Sequence, residues 1–434
     1  MLNSDAQNAL KQTLAWSRAQ GYAGYSKHDA LNSAFLNGLT LNTRILRLVA
    51  IQTVMRAPVN LRPFFGVPRL RNPKGVGLFA HTWLNLAADD RLREATPWDR
   101  DYCLAEADRL LTWLVAHASP WAGGSGDLLR AFGAEPASAA REPRLRGMGW
   151  GYHYPWQDVG FFQPRHFPNR VVTSWIGMVF LRAYEITGEA KYLQAARELV
   201  TFLLENPNRL YESDGQLCLS YVPSEKVEWA VMDVSVLVSS VAARLRAADP
   251  EAGVDPDTVR RLLRFVVDKQ TDYGAWYYTH PAKDSHITHD NYHTGIILDA
   301  IADTMTYSGE FDDVEAYRAG LAYYQKELFT PEGAPKWMNN KVYPHDAHGA
   351  ANGILAFRRA AMFWTRDAPR PDPAAAKAAT EMAERICDWT LSHLYAGTGR
   401  FYYQQCKHYT KRFCLMRWCN AWMCRALTAE TPES

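Results

Sequence analysis

The sequence predicts an all-α fold in which six helical hairpins close into a ring, an (α/α)6 toroid with inner and outer helices. Five turns that combine glycine with aromatic residues recur along the chain, and each precedes a polar loop and a helix of small and apolar residues. These helices begin near Val171, Trp229, Asp290, Ala347 and Leu415, at steps of 57 to 68 residues. A nearly constant period with two helices in each period is typical of a repeat architecture.

The remaining elements follow from hydrophobic periodicity. Upstream of the repeats, helices are predicted at about 40–55, 77–89 and 101–118. The glycine-aromatic turns occupy 149–152, 215–221, 274–278, 333–337 and 399–403. Apolar residues at i, i+3, i+4 and i+7 predict amphipathic outer helices at 190–204, 257–268, 314–328 and 374–391. No sustained period-two alternation occurs outside the turns, so we expect few strands.

We expect one domain that spans residues 1–434. Residues 60–75 form a basic, proline-rich loop, and residues 123–145 form a long loop rich in glycine, alanine and proline. The repeat pattern lies on both sides of the second loop, which therefore reads as an insertion within the toroid rather than a linker between domains.

Composition excludes several classes of function. Lys and Arg total 48 against 46 Asp and Glu, and a net charge of +2 is too small for a typical nucleic-acid binder. No apolar stretch reaches 18 residues, no secretory leader is evident, and the seven cysteines show no CxxC pair. We therefore expect a cytoplasmic protein with no membrane span and no metal or other cofactor. The 15 Trp and 22 Tyr are numerous enough to line a carbohydrate cleft.

Two histidine-rich loops precede consecutive inner helices and supply the candidate catalytic residues. The loop at 286–295 contains Asp290 and His293, and the loop at 341–349 contains Asp346 and His348. Imidazole titrates near neutral pH and suits acid–base catalysis, particularly beside a carboxylate. Alternatively, each Asp acts only as a helix N-cap. His286, His289 and His293 would bind a metal only if all three faced one side of a helix, which the helix boundary makes doubtful.

The loops that enter the other inner helices provide candidate substrate-binding residues. These are Trp150, Tyr152, Trp156, Asp158, Asp233, Trp276, His289, Asn291, Trp337, Lys341, Tyr343, Arg417 and Trp418. In the basic loop we expect an anion site formed by Arg62, Arg69, Arg71 and Lys74. If the histidines are not catalytic, the acid–base pair would lie among Asp158, Glu228 and Asp233.

Several motifs resemble a group of bacterial proteins associated with cell-surface polysaccharide biosynthesis. The motifs are YSKHDALNS at 25–33, NLRP at 60–63, RNPKG at 71–75, HDNYHTG at 289–295, RW at 417–418 and AWM at 421–423. Residues 173–204 are also similar to helices of unsaturated glucuronyl hydrolases and N-acylglucosamine 2-epimerases, which are six-hairpin toroids. The first resemblance implies a role in surface polysaccharide biosynthesis, and the second implies the six-hairpin toroid fold.

Three functions remain open on this evidence. The chain would cleave an acidic glycan as a hydrolase or lyase, or epimerise a sugar with two opposed histidines as the 2-epimerases do, or bind a glycan without catalysis. A zinc prenyltransferase is disfavoured because Asp290 has no cysteine two residues later. His and Asp at successive helix starts favour an enzyme, whose partner would be an anionic oligosaccharide or sugar.

Overall fold

The computed structural model describes residues 3–158, 161–224 and 227–432, and it is predominantly α-helical. The α-helices are α1 (Ser4–Ala19), α2 (Ala34–Leu39), α3 (Arg44–Arg56), α4 (Pro73–Ala88), α5 (Asp90–Glu94), α6 (Arg100–Ala116), α7 (Gly126–Ala131), α8 (Arg170–Thr187), α9 (Ala190–Glu205), α10 (Met232–Ala248), α11 (Pro256–Val267), α12 (Asn291–Ser308), α13 (Val314–Glu327), α14 (Ala347–Met362), α15 (Pro373–Leu394) and α16 (Trp422–Leu427). Short 3-10 turns occur at Asp29–Asn32, Pro250–Ala252 and Ala282–Asp284, and π-helical turns at Phe363–Asp367 and Arg417–Ala421.

The strands are two to four residues long, and all pairings are antiparallel. They are β1 (Ala23–Gly24), β2 (Leu70–Arg71), β3 (Trp156–Gln157), β4 (Phe162–Gln163), β5 (Arg209–Glu212), β6 (Leu217–Leu219), β7 (Ala230–Val231), β8 (Thr279–His280), β9 (His345–Asp346), β10 (Gln404–Gln405) and β11 (Thr410–Lys411). Strands pair as β1–β2, β3–β4, β5–β6 and β7–β8, and β10 lies between β9 and β11. Two of these pairings, β7–β8 and β9–β10, connect successive repeats at the end of the ring where inner helices begin.

Six inner helices form a closed ring, which confirms the predicted (α/α)6 toroid. In order, α4, α8, α10, α12, α14 and α16 each pack on the next, and α16 packs back on α4. Their outer partners are α6, α9, α11, α13, α15 and α1, so the sixth hairpin joins the two ends of the described chain. One continuous apolar core extends through these hairpins from Ala6 to Ala429.

Residue size and amphipathicity explain the two rings. A Cβ atom at Gly177 of α8 would lie 2.7 Å from Leu199 of α9 and 2.9 Å from Val241 of α10, so this close crossing requires glycine. In α11, Leu262 and Val266 are buried against the inner ring, whereas Arg260 on another face is exposed. Amphipathic helices therefore surround an inner ring that is buried on nearly every face.

Most predicted helix positions agree with the structure within about four residues. The last inner helix, expected near Leu415, starts as a π-helical turn at Arg417 and becomes α16 at Trp422, and other corrections lie near the N-terminus. Helices at 77–89 and 101–118 are α4 and α6, whereas the predicted helix at 40–55 is α3, which lies outside the ring. The sixth outer helix is instead α1, which the sequence analysis missed. The loop at 123–145 contains the short helix α7, and the loop at 60–75 contains β2 and the first turn of α4.

Helices α2 and α3 and the 3-10 turn before them form a separate small cluster, which we call the satellite (residues 29–65). Its own core consists of Ala30, Leu31, Leu36, Ile51 and Val54, with Trp156 packed against it. None of the helices in the three described ranges is both long enough and apolar enough to cross a membrane.

Candidate active site

One cavity lies at the end of the toroid where the inner helices begin. Helix N-termini and the loops that enter them converge here, because the inner helices all run in the same direction along the axis of the ring. The lining consists of His28, Lys74, Tyr152, Trp156, Val171, Tyr221, Val231, Asp233, Tyr278, Tyr292, His293, Ile296, His348, Arg417 and Trp418. Every inner helix or its entry loop contributes at least one side chain.

His293 is paired with Asp290 in the first turn of α12. Its Nδ1 lies 2.7 Å from Oδ2 of Asp290, which is 4% exposed. Burial lowers the pKa of His293, but the charge and hydrogen bond of Asp290 and the charge of Asp233 outweigh it, so the pKa is raised. The Asp290 side chain does not cap α12, which leaves it to hold the imidazole.

His348, in the first turn of α14, has the opposite electrostatic environment. It is 2% exposed, and within the described ranges neither ring nitrogen has a hydrogen-bond partner. Burial, followed by the charges of Lys74 and Arg417, holds the pKa of His348 well below 6.5. The two histidines that the sequence singled out therefore have pKa values shifted in opposite directions.

The ring of Tyr292 lies between the two histidines. Its centroid is 4.2 Å from that of His293 and 4.8 Å from that of His348, on which it stacks at 22°. The imidazoles thus face a common space and are separated by an aromatic ring, with no direct hydrogen bond between them.

Asp346 supports the site and does not line it. One carboxylate oxygen accepts hydrogen bonds from the His348 backbone N–H at 2.8 Å and from Trp418 Nε1 at 2.7 Å, and the other accepts from Gln404 Nε2 at 2.7 Å. Both oxygens are therefore engaged, and Asp346 caps α14 and orients Trp418. These contacts indicate a positioning role in place of the catalytic role expected from sequence.

Three basic side chains, one arginine and two lysines, are buried at the cavity. Lys74 and Arg417 line it, and Lys27 Nζ lies 3.9 Å above the Trp418 ring. Burial lowers the pKa of Lys27 to about 8, although Asp346 and Asp290 oppose the shift. Burial and the charge of Arg417 hold the pKa of Lys74 well below 10.5.

Asp233, in the first turn of α10, is the carboxylic acid among the lining residues. Its Oδ1 has no hydrogen-bond partner in the described part of the chain. Burial raises the pKa of Asp233, and the charges of His293 and Lys74 only partly oppose the shift. Asp233 therefore supplies a carboxyl group beside the His293–Asp290 pair.

A buried ion pair holds the N-terminal loop in the cavity wall. Arg62 Nε lies 2.6 Å from Asp29 Oδ1, and both side chains are 1% exposed. Arg62 also donates to the backbone oxygens of Ser26 and Lys27, which fixes the loop that carries Lys27 and His28. Arg62 is thus structural, which corrects its assignment to an anion site.

The other residues of the expected anion site also separate. Arg69 is exposed and hydrogen-bonded to Gln20, and Arg71 donates to the backbone oxygen of Gly21 at 2.7 Å. Lys74 enters the central cavity because it lies in the first turn of α4. The spacing in sequence predicted one positive loop, but strand β2 and helix α4 direct its side chains to different places.

Two tryptophans that the sequence predicted to bind substrate belong to the core. Trp150 is fully buried and donates from Nε1 to the Leu114 backbone oxygen at 2.8 Å, and Trp276 donates to that of Val266 at 2.9 Å. Both indoles therefore point toward the outer helices, and neither lines the cavity.

His289 and Asn291 are structural residues beside the cavity. His289 Nδ1 contacts the Trp276 backbone oxygen at 2.8 Å and its Nε2 contacts the Tyr273 hydroxyl at 3.1 Å. Asn291 donates to the Leu328 backbone oxygen and accepts from the Tyr324 hydroxyl. The distinct partners of His289 and His293 mean that these side chains do not converge on a metal, and the described residues contain no such cluster.

The remaining expected site residues lie around the rim. Trp337 is half-buried, with Lys27 Nζ 5.0 Å from its ring, whereas Lys341 and Tyr343 are exposed. Asp158 lies outside the lining, although its charge adds to the burial that raises the pKa of Tyr278. Glu228 is exposed on the surface.

Tyr152 was predicted from the sequence to bind substrate, whereas two further lining tyrosines, Tyr221 and Tyr278, were not, although all three carry the same signal. Tyr152, Tyr221 and Tyr278 are the last residues of three successive glycine-aromatic turns, and all three line the cavity. The Tyr152 and Tyr221 hydroxyls are 3.0 Å apart. Position within the repeat therefore identifies this tyrosine set, whereas His28, which stacks on Trp156, carries no repeat signal.

Comparison with known proteins supports the fold. Searches of protein families and of curated proteins find no match to this sequence. Among solved structures, unsaturated glucuronyl hydrolase from Streptococcus agalactiae is similar with a TM-score of 0.57, 10% identity and coverage of 99% of this chain and 92% of that one. Cellobiose 2-epimerase from Bacillus thermoamylovorans is similar with a TM-score of 0.55 and 12% identity, over 82% of this chain and 87% of that one. The GH76 α-mannanase from Bacteroides thetaiotaomicron has a TM-score of 0.52 and 12% identity, over 84% of this chain and 88% of that one.

At these identities the comparisons show a common fold. They confirm the likeness in fold to glucuronyl hydrolases and to a sugar 2-epimerase that residues 173–204 indicated. The three relatives are named for different reactions, so fold alone does not choose among reactions, and the choice depends on the side chains in the cavity.

We predict that Asp29→Asn lowers the free energy of unfolding by about 3–5 kcal/mol, because it leaves the Arg62 guanidinium buried without its counter-ion. Urea unfolding monitored by circular dichroism measures the change. As a control, Asp90→Asn removes the partner of Arg93 at an exposed position and should change stability by less than about 1 kcal/mol. Equal small effects for both variants would contradict the anchoring role of Asp29.

Proposed function

We propose that this chain is a carbohydrate-active enzyme that removes a proton from an acidic sugar, with His348 as general base and His293 as general acid. The observation that carries the proposal is the opposite shift in pKa of two imidazoles around one aromatic ring. A pair of titratable groups whose environments separate their pKa values is the usual arrangement for acid–base catalysis. These shifts favour the neutral, proton-accepting form of His348 and the protonated, proton-donating form of His293.

Aromatic side chains and an unused hydrogen-bond donor support a sugar ligand. Tyr292, Trp156 and Trp418 line the cavity, and aromatic rings pack well against the C–H face of a pyranose. Arg417 lines the cavity, and in the part of the chain that the structure describes its Nε is buried without a partner. A polyhydroxylated ligand would satisfy such a donor, which is costly to leave unpaired.

The charge of the cavity supports an anionic substrate. Lys74, Arg417 and Lys27 surround a space whose lining includes a single carboxylic acid, Asp233. Burial raises the pKa of that acid toward its neutral form, which leaves the cations in excess. A sugar carboxylate would pair with Arg417 or a lysine and relieve the repulsion among them.

These groups support β-elimination in a uronic-acid glycan. His348 would take the proton from the carbon beside the carboxylate, and the buried cations would stabilise the negative charge that develops on the carboxylate oxygens. The electrons of that C–H bond would form a carbon–carbon double bond as the neighbouring C–O bond breaks. His293 would protonate the departing oxygen, so that an alcohol and an unsaturated sugar leave.

Epimerisation is a second candidate because it begins with the same step. If no leaving group lies next to the deprotonated carbon, His293 would return a proton to the opposite face and invert the centre. Hydrolysis is supported less well because glycosidases ordinarily use a pair of carboxyl groups. The lining supplies one, Asp233, and the carboxylates of Asp290 and Asp346 are already hydrogen-bonded. The motif resemblance noted above supports a role in bacterial surface polysaccharide metabolism for any of these reactions.

Incubation with uronic-acid oligosaccharides in light and heavy water, analysed by mass spectrometry and proton NMR, tests the proposal. Elimination splits the chain without adding water and produces a vinyl proton signal. Epimerisation leaves the mass unchanged in light water and adds one deuterium in heavy water. Hydrolysis products that gain water and carry no deuterium on carbon would contradict proton abstraction, and binding without any product would favour a non-catalytic protein.

We predict that His293→Ala and His348→Gln each reduce kcat by roughly 10²–10⁴-fold, the usual contribution of one acid–base group. Glutamine preserves most of the volume of buried His348, so the thermal midpoint should change little. His289→Gln is the matched control, because His289 lies on the same loop but contacts only Trp276 and Tyr273 through its ring nitrogens. It should retain activity and lose stability. Active, destabilised His293 and His348 variants would make both histidines structural and leave Asp233 as the candidate acid.

We predict a bell-shaped dependence of kcat/KM on pH. Activity requires neutral His348, whose pKa is lowered well below 6.5, and protonated His293, whose pKa is raised from 6.5, so the optimum lies between these two pKa values. Asp290→Asn removes the main group that raises the pKa of His293, and should move the alkaline limb to lower pH with the acid limb unchanged. Lys27→Met is the control for the lysine that titrates at about 8. An alkaline limb that moves with Lys27→Met and not with Asp290→Asn would refute the assignment to His293.

A further inference from the structure

The satellite exposes an unusual concentration of large apolar side chains. Eight of the fourteen large hydrophobic residues that are exposed in the described chain lie within this single stretch. They are Phe35, Leu39, Leu41, Ile45, Leu46, Val49, Val59 and Phe64, and Phe64, Leu41 and Ile45 are 83%, 76% and 72% exposed. Contiguous exposed apolar groups on this scale indicate a binding surface, since isolated ones are spread over a typical protein.

The surface of the satellite is basic. Its one acidic residue, Asp29, is buried against Arg62, and from residue 30 to residue 65 the sequence has Arg44, Arg47, Arg56 and Arg62 but no Asp or Glu. On α3, Arg44 and Arg56 are exposed and Arg47 is half-buried, interleaved with Ile45 and Val49. The helix thus presents long cationic side chains beside aliphatic ones on the surface.

A second basic segment lies against the satellite. Lys411 of β11 donates from Nζ to the Met55 backbone oxygen of α3 at 3.3 Å. In the hairpin that it belongs to, Lys407 and Arg412 are exposed, and no acidic residue occurs between Asp388 and Glu430. Two acid-free stretches from opposite ends of the sequence therefore meet at this face.

We propose that the satellite docks the protein onto the surface of a membrane that contains anionic phospholipids. Apolar side chains of α2, α3 and the loop at Phe64 would enter the boundary between head groups and acyl chains, as interfacial amphipathic helices do. The surrounding arginines and lysines would bind the lipid phosphates, each adding to the attraction. This is peripheral binding, which requires no helix long enough to span the bilayer.

Charge favours a membrane over a second copy of this chain. A symmetric dimer through the satellite would bring the same surface of two copies together, with the α3 arginines facing like charges. An anionic lipid surface meets both the apolar and the cationic groups at once. Helix α3 lies outside the ring, so its exposed face can contact an extended lipid surface.

The docking surface adjoins the mouth of the central cavity. Trp156 packs against the satellite core and also lines the cavity, and His28, one residue before the satellite begins, stacks on Trp156. A docked molecule would therefore hold the cavity entrance close to the lipid head groups. Membrane docking does not depend on the reaction proposed above, and the two are tested separately.

Vesicle co-sedimentation of the full chain tests the proposal. The wild type should bind vesicles of phosphatidylcholine mixed with phosphatidylglycerol and bind phosphatidylcholine alone much more weakly, with binding reduced at high salt. Ile45→Ser/Val49→Ser should reduce the partition coefficient at least about tenfold, because both side chains are exposed and their loss removes only inserted apolar surface. Circular dichroism should show an unchanged fold.

Tyr211→Ser is the matched control, because Tyr211 is an exposed hydrophobic residue on β5, far from the satellite in sequence. It should bind vesicles as the wild type does. Failure of the wild type to bind mixed vesicles would overturn the proposal, as would a double variant that binds normally. A wild-type dimer that the double variant converts to a monomer in sedimentation velocity, without vesicle binding, would show that a second copy covers the surface.

Discussion

The contact between α4 and the segment Arg417–Leu427 closes the ring, and the cavity depends on it. A Cβ atom at Gly75 of α4 would lie 3.1 Å from the Cβ and 3.4 Å from the Cα of Arg417, so a larger residue at this position would push the two elements slightly apart. Further hydrogen bonds join the ends of the chain, from Asn420 to Ser17 and from Asn85 to the Thr428 backbone oxygen. Closure brings Lys74, Arg417 and Trp418 into the same wall as His348. The π-helical turn at Arg417–Ala421 is a local irregularity of the kind that often accompanies functional sites.

Once the ring is closed, burial determines the chemistry of the groups inside it. Removal of water disfavours every charged form, so an isolated base loses its proton and an isolated acid retains one. His348 and Asp233 follow this rule, and His293 departs from it because Asp290 lies 2.7 Å away. A single local carboxylate thus gives two similar histidines different protonation states, and the proposed reaction depends on that difference.

The N-terminal loop connects this chemistry with the outer surface. The buried Asp29–Arg62 pair fixes Lys27 and His28 in the cavity wall, and its two residues also belong to the satellite that carries the exposed apolar groups. Disturbance of this ion pair would therefore affect the cavity and the docking surface together. The proposed docking and the proposed catalysis share a scaffold but use different side chains.

The sequence alone determined features that depend on near neighbours in the chain. The repeat spacing places five inner helices, and the distance of three residues between Asp290 and His293 brings their side chains together on one helical turn. Capping was an alternative that the sequence left open for two residues, and only Asp346 caps its helix, whereas Asp290 does not. Helix positions and contacts between residues one turn apart depend on near neighbours, so periodicity and spacing are sufficient to predict them.

Only the tertiary structure decided whether each side chain lines the cavity or packs in the core, and how deeply it is buried. Trp150 and Trp276 point toward outer helices, and Arg62 forms an ion pair with Asp29. Lys27 contacts the ring of Trp418, although nearly the whole chain separates the two residues in sequence. Helix α3 has the periodicity of a ring helix, yet the ring was completed by α1 because that helix covers α16 at closure. These outcomes depend on contacts between distant segments and on the burial that those contacts create. Neither can be predicted from the local sequence.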